Sequence, residues 1–282
     1  MNVGAVTVLG AGTMGHGIAH AAIAAGYDTM MFDVSQESVE KGRDAIDEIV
    51  RGGVDRGKLT VAAGTAITNR LSLTCDLAAA LADADFIIEA APERIATKLE
   101  LFAAIERFAP AHAIVTSNTS ALSVTEMAAT LSNPSRVAGM HFFNPVHKMK
   151  LVEVVQALET SVATLDAVRD TAARMGKETV VVRESPGFIT TRINASLGNE
   201  AFYMLMEGVA SARDIDKALK LGLNHPMGPF ELVDLVGLDT RLSILDYLHR
   251  SMGEKYRPCP LLVQYVKAGR LGRKVGRGVY DY

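Results

Sequence analysis

A glycine-rich turn near the start of the chain has the spacing that a pyrophosphate site requires. Gly10, Gly12 and Gly15 form a GxGxxG pattern between an apolar run and a stretch of small residues that suits a helix. The first glycine permits a tight turn, the second lets the backbone approach a pyrophosphate, and the third lets the helix pack on the strand. The helix N-terminus would then offer free N–H groups to the phosphates. The pattern predicts a dinucleotide site formed by Gly10, Ala11, Gly12, Thr13, Met14 and Gly15.

An acidic residue completes this pattern and favours one type of dinucleotide. A second apolar run ends at Asp33, 18 residues after Gly15, where a carboxylate can accept hydrogen bonds from a ribose diol. Its charge would repel a 2′-phosphate, and no basic residue follows directly at positions 34–36. The segment therefore predicts NAD rather than NADP as the cofactor. The alternative is a plain βαβ unit whose glycines serve only the turn.

A histidine and a glutamate in two apolar segments are the candidates for acid–base chemistry. Hydride transfer from an alcohol needs a base for the hydroxyl proton. His141 ends an apolar run, at the strand edge where doubly wound sheets bind ligands, and Glu153 lies inside the apolar run 151–155. A buried carboxylate needs a partner, and an adjacent strand could place it on the His141 ring. Such a pair would fix the imidazole tautomer. The alternative is two unrelated residues on a polar strand face.

The elements that must position these residues alternate between strands and helices over residues 1–184. Predicted strands include 86–88, 114–115, 137–143, 151–155 and 179–182; predicted helices include 36–50, with Ser35 as N-cap, and 162–175. We therefore predict an α/β domain with a doubly wound, Rossmann-type sheet over residues 1–184. From residue 185 the pattern becomes helical with Gly and Pro turns, which predicts an all-helical C-terminal domain over residues 185–282.

The helical domain begins with a predicted helix start and a long apolar face. Ser185 is the expected N-cap and Pro186 the first helical residue. The expected apolar face comprises Ile189, Ile193, Leu197, Ala201 and Met204. Together with the run Met204-Leu205-Met206, it favours a homodimer formed through this domain. The alternative is that these side chains fill the domain's own core.

The composition excludes several classes of protein. A net charge of −3 over 282 residues implies no general affinity for nucleic acid. The sequence has no run of 18 apolar residues, which is the length that would predict a membrane span. Cys75 and Cys259 have no metal-binding or redox spacing, so we expect free thiols and no metal site. The first strand begins close to Met1, so we expect no signal or transit peptide and a cytoplasmic location. A leader already removed would leave the same sequence.

Several motifs together resemble one enzyme family along essentially the whole chain. They are GAGTMG at 10–15, EAAPE at 89–93, SNTS at 117–120, HFFNP at 141–145, LVEVV at 151–155, SPGF at 185–188 and the terminal GRKVGRGVYDY. The chain resembles the short-form L-3-hydroxyacyl-CoA dehydrogenases and, among them, most resembles the bacterial 3-hydroxybutyryl-CoA dehydrogenases. The pairing of HFFNP with LVEVV is specific, whereas the glycine turn alone is not.

The resemblance implies roles for individual residues. It places the catalytic base on His141, its acidic partner on Glu153 and a substrate-orienting hydroxyl on Ser120. It places contacts on the nicotinamide side of NAD on Glu93, Lys98, Ser120 and Asn144, with a further cofactor-loop lysine at Lys274. Taken by their types alone, Ser120 could be a helix cap, Asn144 a turn residue and Lys98 a solvated lysine.

One position departs from the family pattern. Many members carry an asparagine before the arginine in the helix after SPGF, whereas Thr191 precedes Arg192 here. Threonine keeps a hydroxyl but loses the donor and acceptor pair of an amide. Asn194 lies one turn later on the same face and is the candidate to compensate. The expected substrate contacts in this segment are therefore Thr191 and Asn194, beside Ser120 and Asn144.

The implied reaction is the reversible oxidation of a 3-hydroxyacyl-CoA to the 3-ketoacyl-CoA with NAD. The candidates for binding the CoA phosphates are Arg51, Arg56 and Lys58, and the alternative for residues 51–70 is a solvated helical hairpin. A rival hypothesis is an NAD-dependent dehydrogenase of a sugar acid such as L-gulonate. Another is a non-catalytic dinucleotide-binding relative, against which the intact set of His141, Glu153, Ser120 and Asn144 argues.

Overall fold

The computed structural model describes residues 3–282 as two compact units. One unit ends at Glu184, and the other comprises Ser185–Tyr282. The first is an α/β unit built on a single sheet, and the second is helical. Within residues 3–282, no helix is both long enough and apolar enough to cross a bilayer.

The apolar runs of the first unit form one eight-stranded sheet. Its strands are β1 (Ala5–Leu9), β2 (Asp28–Phe32), β3 (Leu71–Thr74), β4 (Phe86–Glu89), β5 (Ile114–Ser117), β6 (Val137–Phe142), β7 (Leu151–Gln156) and β8 (Glu178–Arg183). The spatial order is β3-β2-β1-β4-β5-β6-β7-β8, and only the β6–β7 pair is antiparallel. The first six strands have the order of the dinucleotide-binding fold, which confirms the predicted doubly wound sheet. Strand β3 was not predicted.

Seven helices connect these strands. They are α1 (Thr13–Ala24), α2 (Gln36–Asp55), α3 (Val61–Thr68), α4 (Leu77–Leu81), α5 (Ile95–Phe108), α6 (Val124–Ala128) and α7 (Val162–Arg174). The Ser35 hydroxyl accepts from the Ser38 N–H, so Ser35 caps α2 as predicted. Helix α2 continues past the predicted end at residue 50 to Asp55. The end of α2 and the whole of α3 form the helical hairpin that covers residues 51–70. Apolar side chains from α1, α2 and α7 pack with the sheet into one core.

The second unit comprises five helices around its own core. They are α8 (Thr190–Met206), α9 (Ala212–Gly222), α10 (Pro229–Val236), α11 (Leu238–Met252) and α12 (Pro260–Lys267). Phe202 and Phe230 lie at the centre of this core, with ring centroids 5.2 Å apart. Short 3₁₀ helices occur at Pro134–Arg136 in the first unit and at Glu254–Tyr256 and Arg273–Val275 in the second.

The predicted start of the first helix in this unit is wrong. Gly187 and Phe188 have φ values of +74° and +49°, which a right-handed helix cannot contain, and α8 begins only at Thr190. The Phe188 N–H donates to the Ser185 carbonyl, so this segment is a turn, and it buries the Phe188 ring. The Ser185 hydroxyl lies 3.4 Å from Nη1 of Arg192. The segment therefore forms a tight turn that buries an aromatic ring, and Ser185 is not the N-cap of α8.

The predicted apolar face of α8 is only partly buried. Ala201 is buried, and Met204 is partly buried against the core, but Ile189 and Ile193 are 51% and 65% exposed. Met206 is 44% exposed. The core of the unit therefore covers only the second half of this face. The periodicity of the sequence shows which side chains share a face of the helix, but it does not show how much of that face packs against other helices.

Candidate active site

The glycine turn lies beside the point where the strand order reverses, between β1 and β4. Gly10 has a φ of +109°, and a Cβ there would lie 2.7 Å from the Ala90 carbonyl oxygen. A Cβ on Gly15 would lie 1.7 Å from the Gly10 carbonyl oxygen. At Gly12, by contrast, no atom of the described chain lies within 4 Å of a built Cβ. The first and third glycines are therefore required by the protein itself, and the second leaves open space for a ligand.

The surroundings of this turn fit a dinucleotide. Among the described residues, no side chain caps the N-terminus of α1, so the N–H groups of its first turn can bind an anion. Asp33 follows β2 and accepts from the Ala11 N–H at 2.9 Å through Oδ2. Its other oxygen, Oδ1, lies 3.4 Å from the Ser35 nitrogen. The carboxylate thus stands directly beside the glycine turn, where the sequence predicted a ribose contact.

His141 and Glu153 form a buried pair across the antiparallel strands. Strands β6 and β7 set them directly opposite each other, and Nδ1 of His141 lies 2.7 Å from Oε2 of Glu153. The residues are 5% and 0% exposed. The ring of Phe143 packs on the imidazole, with centroids 4.6 Å apart. Alternation along the strands explains the pairing, because opposed residues of an antiparallel pair point to the same face.

Ser120 lies on the other side of the imidazole. Its Oγ is 3.1 Å from Nε2 of His141. A carboxylate only accepts hydrogen bonds, so Glu153 holds the proton of a neutral imidazole on Nδ1. Nε2 is then an acceptor, to which the Ser120 hydroxyl can donate. The arrangement is a hydrogen-bonded relay of hydroxyl, imidazole and carboxylate, with the unprotonated ring nitrogen on the Ser120 side.

Glu93 shapes the loop that carries Ser120. Its Oε1 accepts from the N–H of Ser120 at 2.8 Å, from the Thr119 hydroxyl at 2.5 Å and from the N–H of Ala121 at 3.3 Å. The second oxygen lies 3.4 Å from Nζ of Lys98. The structure thus gives Glu93 a positioning contact with the serine loop. The predicted contact with the nicotinamide remains a prediction.

Lys98 is fully buried, contrary to what its residue type alone favours. Its ammonium lies 2.8 Å from each carboxylate oxygen of Glu89, which is also fully buried. Glu89 also accepts from the Ala91 N–H at 2.6 Å and from the Ser117 hydroxyl at 2.5 Å. The sequence analysis assigned no role to Glu89. The sequence did contain a signal for this role, because Glu89 directly follows the apolar run 86–88. A carboxylate buried at the end of such a strand needs a cation nearby.

Two asparagines lie near the end of β6, the strand that carries His141. Asn118, which also had no assigned role, accepts from the Phe142 N–H at 2.8 Å through Oδ1 and so ties the end of β5 to the end of β6. Asn144 is exposed and precedes Pro145 through a cis peptide bond. Its side chain is therefore placed in the loop that directly follows His141, and its predicted contacts with NAD and substrate remain predictions.

The remaining predicted site residues lie on the helical hairpin of the first unit and in the second unit. Arg51, Arg56 and Lys58 are exposed along the end of α2 and the turn before α3. Thr191 and Asn194 are half-buried on α8 of the helical unit. Lys274 belongs to the same unit, and its ammonium lies 2.7 and 2.6 Å from the two carboxylate oxygens of Asp239. The roles predicted for these residues remain predictions.

Metal-binding geometry is not found in the part of the chain that the structure describes. No group of three or more His, Cys, Asp or Glu side chains within residues 3–282 could hold a metal ion. Cys75 and Cys259 are both free thiols, the first exposed and the second buried. The candidate site therefore consists of the glycine turn, Asp33 and the relay of Ser120, His141 and Glu153.

Comparisons with known proteins agree along the whole chain. The family model described as 3-hydroxyacyl-CoA dehydrogenase, NAD binding domain, matches residues 5–185, and that of the 3-hydroxyacyl-CoA dehydrogenase C-terminal domain matches residues 187–282. A probable 3-hydroxybutyryl-CoA dehydrogenase of Bacillus subtilis is 47% identical, over 100% of this chain and 98% of the relative. A 3-hydroxybutyryl-CoA dehydrogenase of Bradyrhizobium diazoefficiens is 44% identical over 98% and 94%.

A solved structure with this architecture aligns over the whole chain. The crystal structure of (S)-3-hydroxybutyryl-CoA dehydrogenase from Ralstonia eutropha aligns with a TM-score of 0.96 and 41% identity, covering 100% of this chain and 99% of that one. Both family models, the full-length relatives and this fold point to the same conclusion: the chain belongs to the 3-hydroxyacyl-CoA dehydrogenase family and is an NAD-dependent oxidoreductase.

Proposed function

We propose that the chain catalyses the reversible oxidation of an (S)-3-hydroxyacyl-CoA, with (S)-3-hydroxybutyryl-CoA as the preferred substrate, to the 3-ketoacyl-CoA. The relay of Ser120, His141 and Glu153 carries this proposal, because Nε2 of the neutral imidazole carries no proton when Glu153 holds the proton on Nδ1, and it can therefore take a hydroxyl proton. Its placement at the end of β6 supports the proposal, since ligands of doubly wound sheets bind at this edge. The names of the relatives from Bacillus subtilis and Bradyrhizobium diazoefficiens support the choice of acyl group.

The residues of the relay divide the proton chemistry among them. In the oxidation, Nε2 of His141 accepts the proton of the substrate 3-hydroxyl, and the hydroxyl of Ser120 orients the substrate oxygen. Glu153 keeps the imidazole in the reactive tautomer and stabilises the imidazolium as it forms. When NAD is bound, it supplies the acceptor for the hydride from C3. In the reverse direction, the imidazolium returns the proton to the ketone oxygen.

A spectrophotometric comparison tests the reaction class. Loss of NADH absorbance is followed with acetoacetyl-CoA and, in parallel, with a free keto acid related to L-gulonate. We expect NADH oxidation with acetoacetyl-CoA and none with the free keto acid. Turnover of the free acid alone would replace the proposal by the sugar-acid dehydrogenase, and binding of NADH without any turnover would favour a non-catalytic relative.

The CoA phosphates have candidate partners on the helical hairpin. Arg51, Arg56 and Lys58 are exposed on one short segment, and none of them has an ion-pair partner within residues 3–282. We propose that they bind the phosphates of the CoA nucleotide. Neutralising all three with glutamine should raise the KM for acetoacetyl-CoA, and an unchanged KM would exclude this segment.

The helical unit carries the features expected of a subunit interface. Ile193, Met206 and Val209 are 65%, 44% and 64% exposed, which is a high exposure for large apolar side chains on one unit. We propose a homodimer formed through this unit. Light scattering coupled to size exclusion should give twice the monomer mass, and replacing Ile193 and Met206 by glutamate should shift the mass to that of a monomer.

A cytoplasmic location completes the proposal. Fractionation of the native host, with detection of the chain by antibody, should place it with cytoplasmic markers. Recovery with the membrane or with a secreted fraction would contradict this part of the proposal.

A further inference from the structure

A lysine outside the relay holds the loop that joins β6 to β7. The ammonium of Lys177 donates to the carbonyl oxygens of Val146 at 2.5 Å and of Met149 at 2.8 Å. Hydrogen bonds from a charged donor are shorter and stronger than those between neutral groups. Burial lowers the pKa of Lys177, so the ammonium is partly removed from water and needs these two acceptors. The contact ties the residue before β8 to the loop that follows His141.

The end of α7 sets the position of this lysine. Gly176 has a φ of +71°, and its N–H donates to the Ala173 carbonyl at 2.9 Å. The N–H of Lys177 donates to the Ala172 carbonyl at 3.0 Å. This pair of hydrogen bonds is the Schellman motif that ends many helices, with glycine as its left-handed residue. The next residue, Glu178, begins β8 and pairs with the start of β7, so the lysine side chain leaves a backbone that is fixed on both sides.

The loop itself is a compact turn that packs on α1. The N–H groups of Lys148 and Met149 both donate to the Pro145 carbonyl, at 2.9 and 3.0 Å. The side chain of Val146 is buried in the core of the first unit. A Cβ on Gly17 of α1 would lie 3.0 Å from this side chain, so the loop lies about as close to the helix as a glycine permits. These contacts give the loop a defined shape, which the ammonium then fixes at two carbonyls.

The start of the same loop carries two residues that follow the relay histidine closely. The ring of Phe143 packs on the imidazole of His141, with centroids 4.6 Å apart. Asn144, the predicted contact with NAD and substrate, comes next and is exposed. Asn118 accepts from the last N–H of β6 at 2.8 Å and so holds the loop where it begins. Lys177 holds it after the two residues, at Val146 and beyond.

We propose that Lys177 is a positioning residue for the reaction, which keeps Asn144 in place by holding the carbonyl of Val146. This inference rests on the proposed function. Val146 follows Asn144 by only two residues, so a displacement of its carbonyl also displaces the Asn144 side chain. Catalysis depends on such placement, because a shift of about 1 Å can cost about 10²-fold in rate. In this role Lys177 contacts neither NAD nor substrate and acts only through the loop.

Two matched variants test this role. Lys177→Met removes the ammonium and keeps the length of the side chain. Arg174→Met is the control, because Arg174 ends the same helix and also donates to main-chain carbonyls, but to those of Ala25 and Gly26 after α1. With saturating NADH, we expect Lys177→Met to lower the kcat for acetoacetyl-CoA by about ten- to hundredfold and to change its KM by less than about threefold. Arg174→Met should keep the normal kcat.

Two milder variants at the same position keep the test independent of folding. The guanidinium of Lys177→Arg can donate to both carbonyls, so this variant should keep most of the kcat. Lys177→Gln keeps an N–H donor without the charge and should give a kcat between those of the wild type and Lys177→Met. A kcat of Lys177→Arg as low as that of Lys177→Met would overturn the proposal, since the carbonyl contacts would then not be what matters.

A double variant shows whether Lys177 acts through Asn144. Asn144→Ala should lower kcat by itself. Adding Lys177→Met should lower kcat no further, because the side chain that the lysine positions is already absent. Losses that multiply would show that Lys177 acts on another group. A normal kcat of Asn144→Ala would leave the lysine nothing to position, and either result would overturn the inference.

Hydrogen exchange separates this proposal from the proposed function, because it needs no turnover. The N–H groups of Lys148 and Met149 should exchange about tenfold faster or more in Lys177→Met than in the wild type, and at the wild-type rate in Arg174→Met. If the wild type turns over no thioester, the proposed function fails, while the exchange rates still decide whether Lys177 holds the loop. Unchanged exchange in Lys177→Met would overturn the inference. A raised KM for acetoacetyl-CoA with a normal kcat would also do so, since it would assign the lysine to binding of the thioester.

Discussion

The ammonium of Lys98 lies 2.8 Å from both carboxylate oxygens of Glu89, and both side chains are fully buried. Glu89 ends β4 at the switch point of the sheet, and Lys98 lies on the first turns of α5. Through its 3.4 Å contact with Glu93, Lys98 also reaches the residue that holds the Ser120 loop. One buried ion pair thus joins the cofactor edge of the sheet to the loop of the relay.

Removing one member of this pair should destabilise the protein strongly. Lys98→Met leaves the Glu89 charge buried without its cation, and we expect a loss of about 3–5 kcal/mol in the free energy of unfolding, measured with urea. Lys41→Met breaks the exposed pair with Glu37 and should cost less than about 1 kcal/mol. Lys98→Met combined with Glu89→Gln should recover much of the loss. Equal losses in the free energy of unfolding for the two single lysine variants would show that burial adds nothing to the contribution of the Lys98–Glu89 pair.

The relay makes a prediction about turnover. His141→Ala should lower the kcat of NADH oxidation with saturating acetoacetyl-CoA by about 10²–10⁴-fold, because the proton donor is lost. Glu153→Gln keeps the size of the side chain but no longer fixes the tautomer, so kcat should also fall. The double variant should be no slower than His141→Ala alone, since the two residues act as one unit. His112→Ala, which affects an exposed histidine beside Asp85, is the control. Near-normal turnover of His141→Ala would remove His141 from the mechanism.

The choice between NAD and NADP should depend on the charge of Asp33. Asp33→Asn keeps an oxygen that can accept from the Ala11 N–H, so the turn should hold its shape. Without the negative charge, the ratio of kcat/KM for NADH to that for NADPH should fall by about tenfold or more. Steady-state kinetics with both cofactors at a fixed acetoacetyl-CoA concentration measures this ratio. An unchanged ratio would show that discrimination lies elsewhere in the cofactor site.

The buried imidazole of His20 should make stability depend on pH. Its folded pKa of about 4 lies below the ordinary value of 6.5, so between these values the unfolded chain binds a proton that the folded chain does not. The contribution of His20 is therefore fully present above about pH 6.5 and is lost as the pH falls towards 4, with a slope of at most about 1.4 kcal/mol per pH unit. His20→Gln should flatten the dependence of the urea midpoint on pH over this range. The same slope in both proteins would contradict the prediction.

The sequence by itself determined the features that depend on local spacing. The glycines at 10, 12 and 15, the acid at 33 and the apolar runs have periods that a turn, a helix or a strand imposes on neighbouring residues. They were enough to predict the doubly wound sheet and the cofactor. The pairing of His141 with Glu153 was also within reach, because a charged residue inside an apolar strand needs a partner on the next strand.

Only the tertiary structure decided the contacts between distant segments. It buried Lys98 on Glu89, placed Glu93 in contact with the Ser120 loop and brought the ring of His147 to the ring of His20. In the tertiary structure α8 begins at Thr190 and Ile193 is exposed. The sequence had predicted an earlier helix start and an apolar face that includes Ile193. Periodicity shows which way a side chain points along its own element. Whether another element meets that side chain depends on how the whole chain packs, and that packing sets the burial, the charge balance and the geometry of the site.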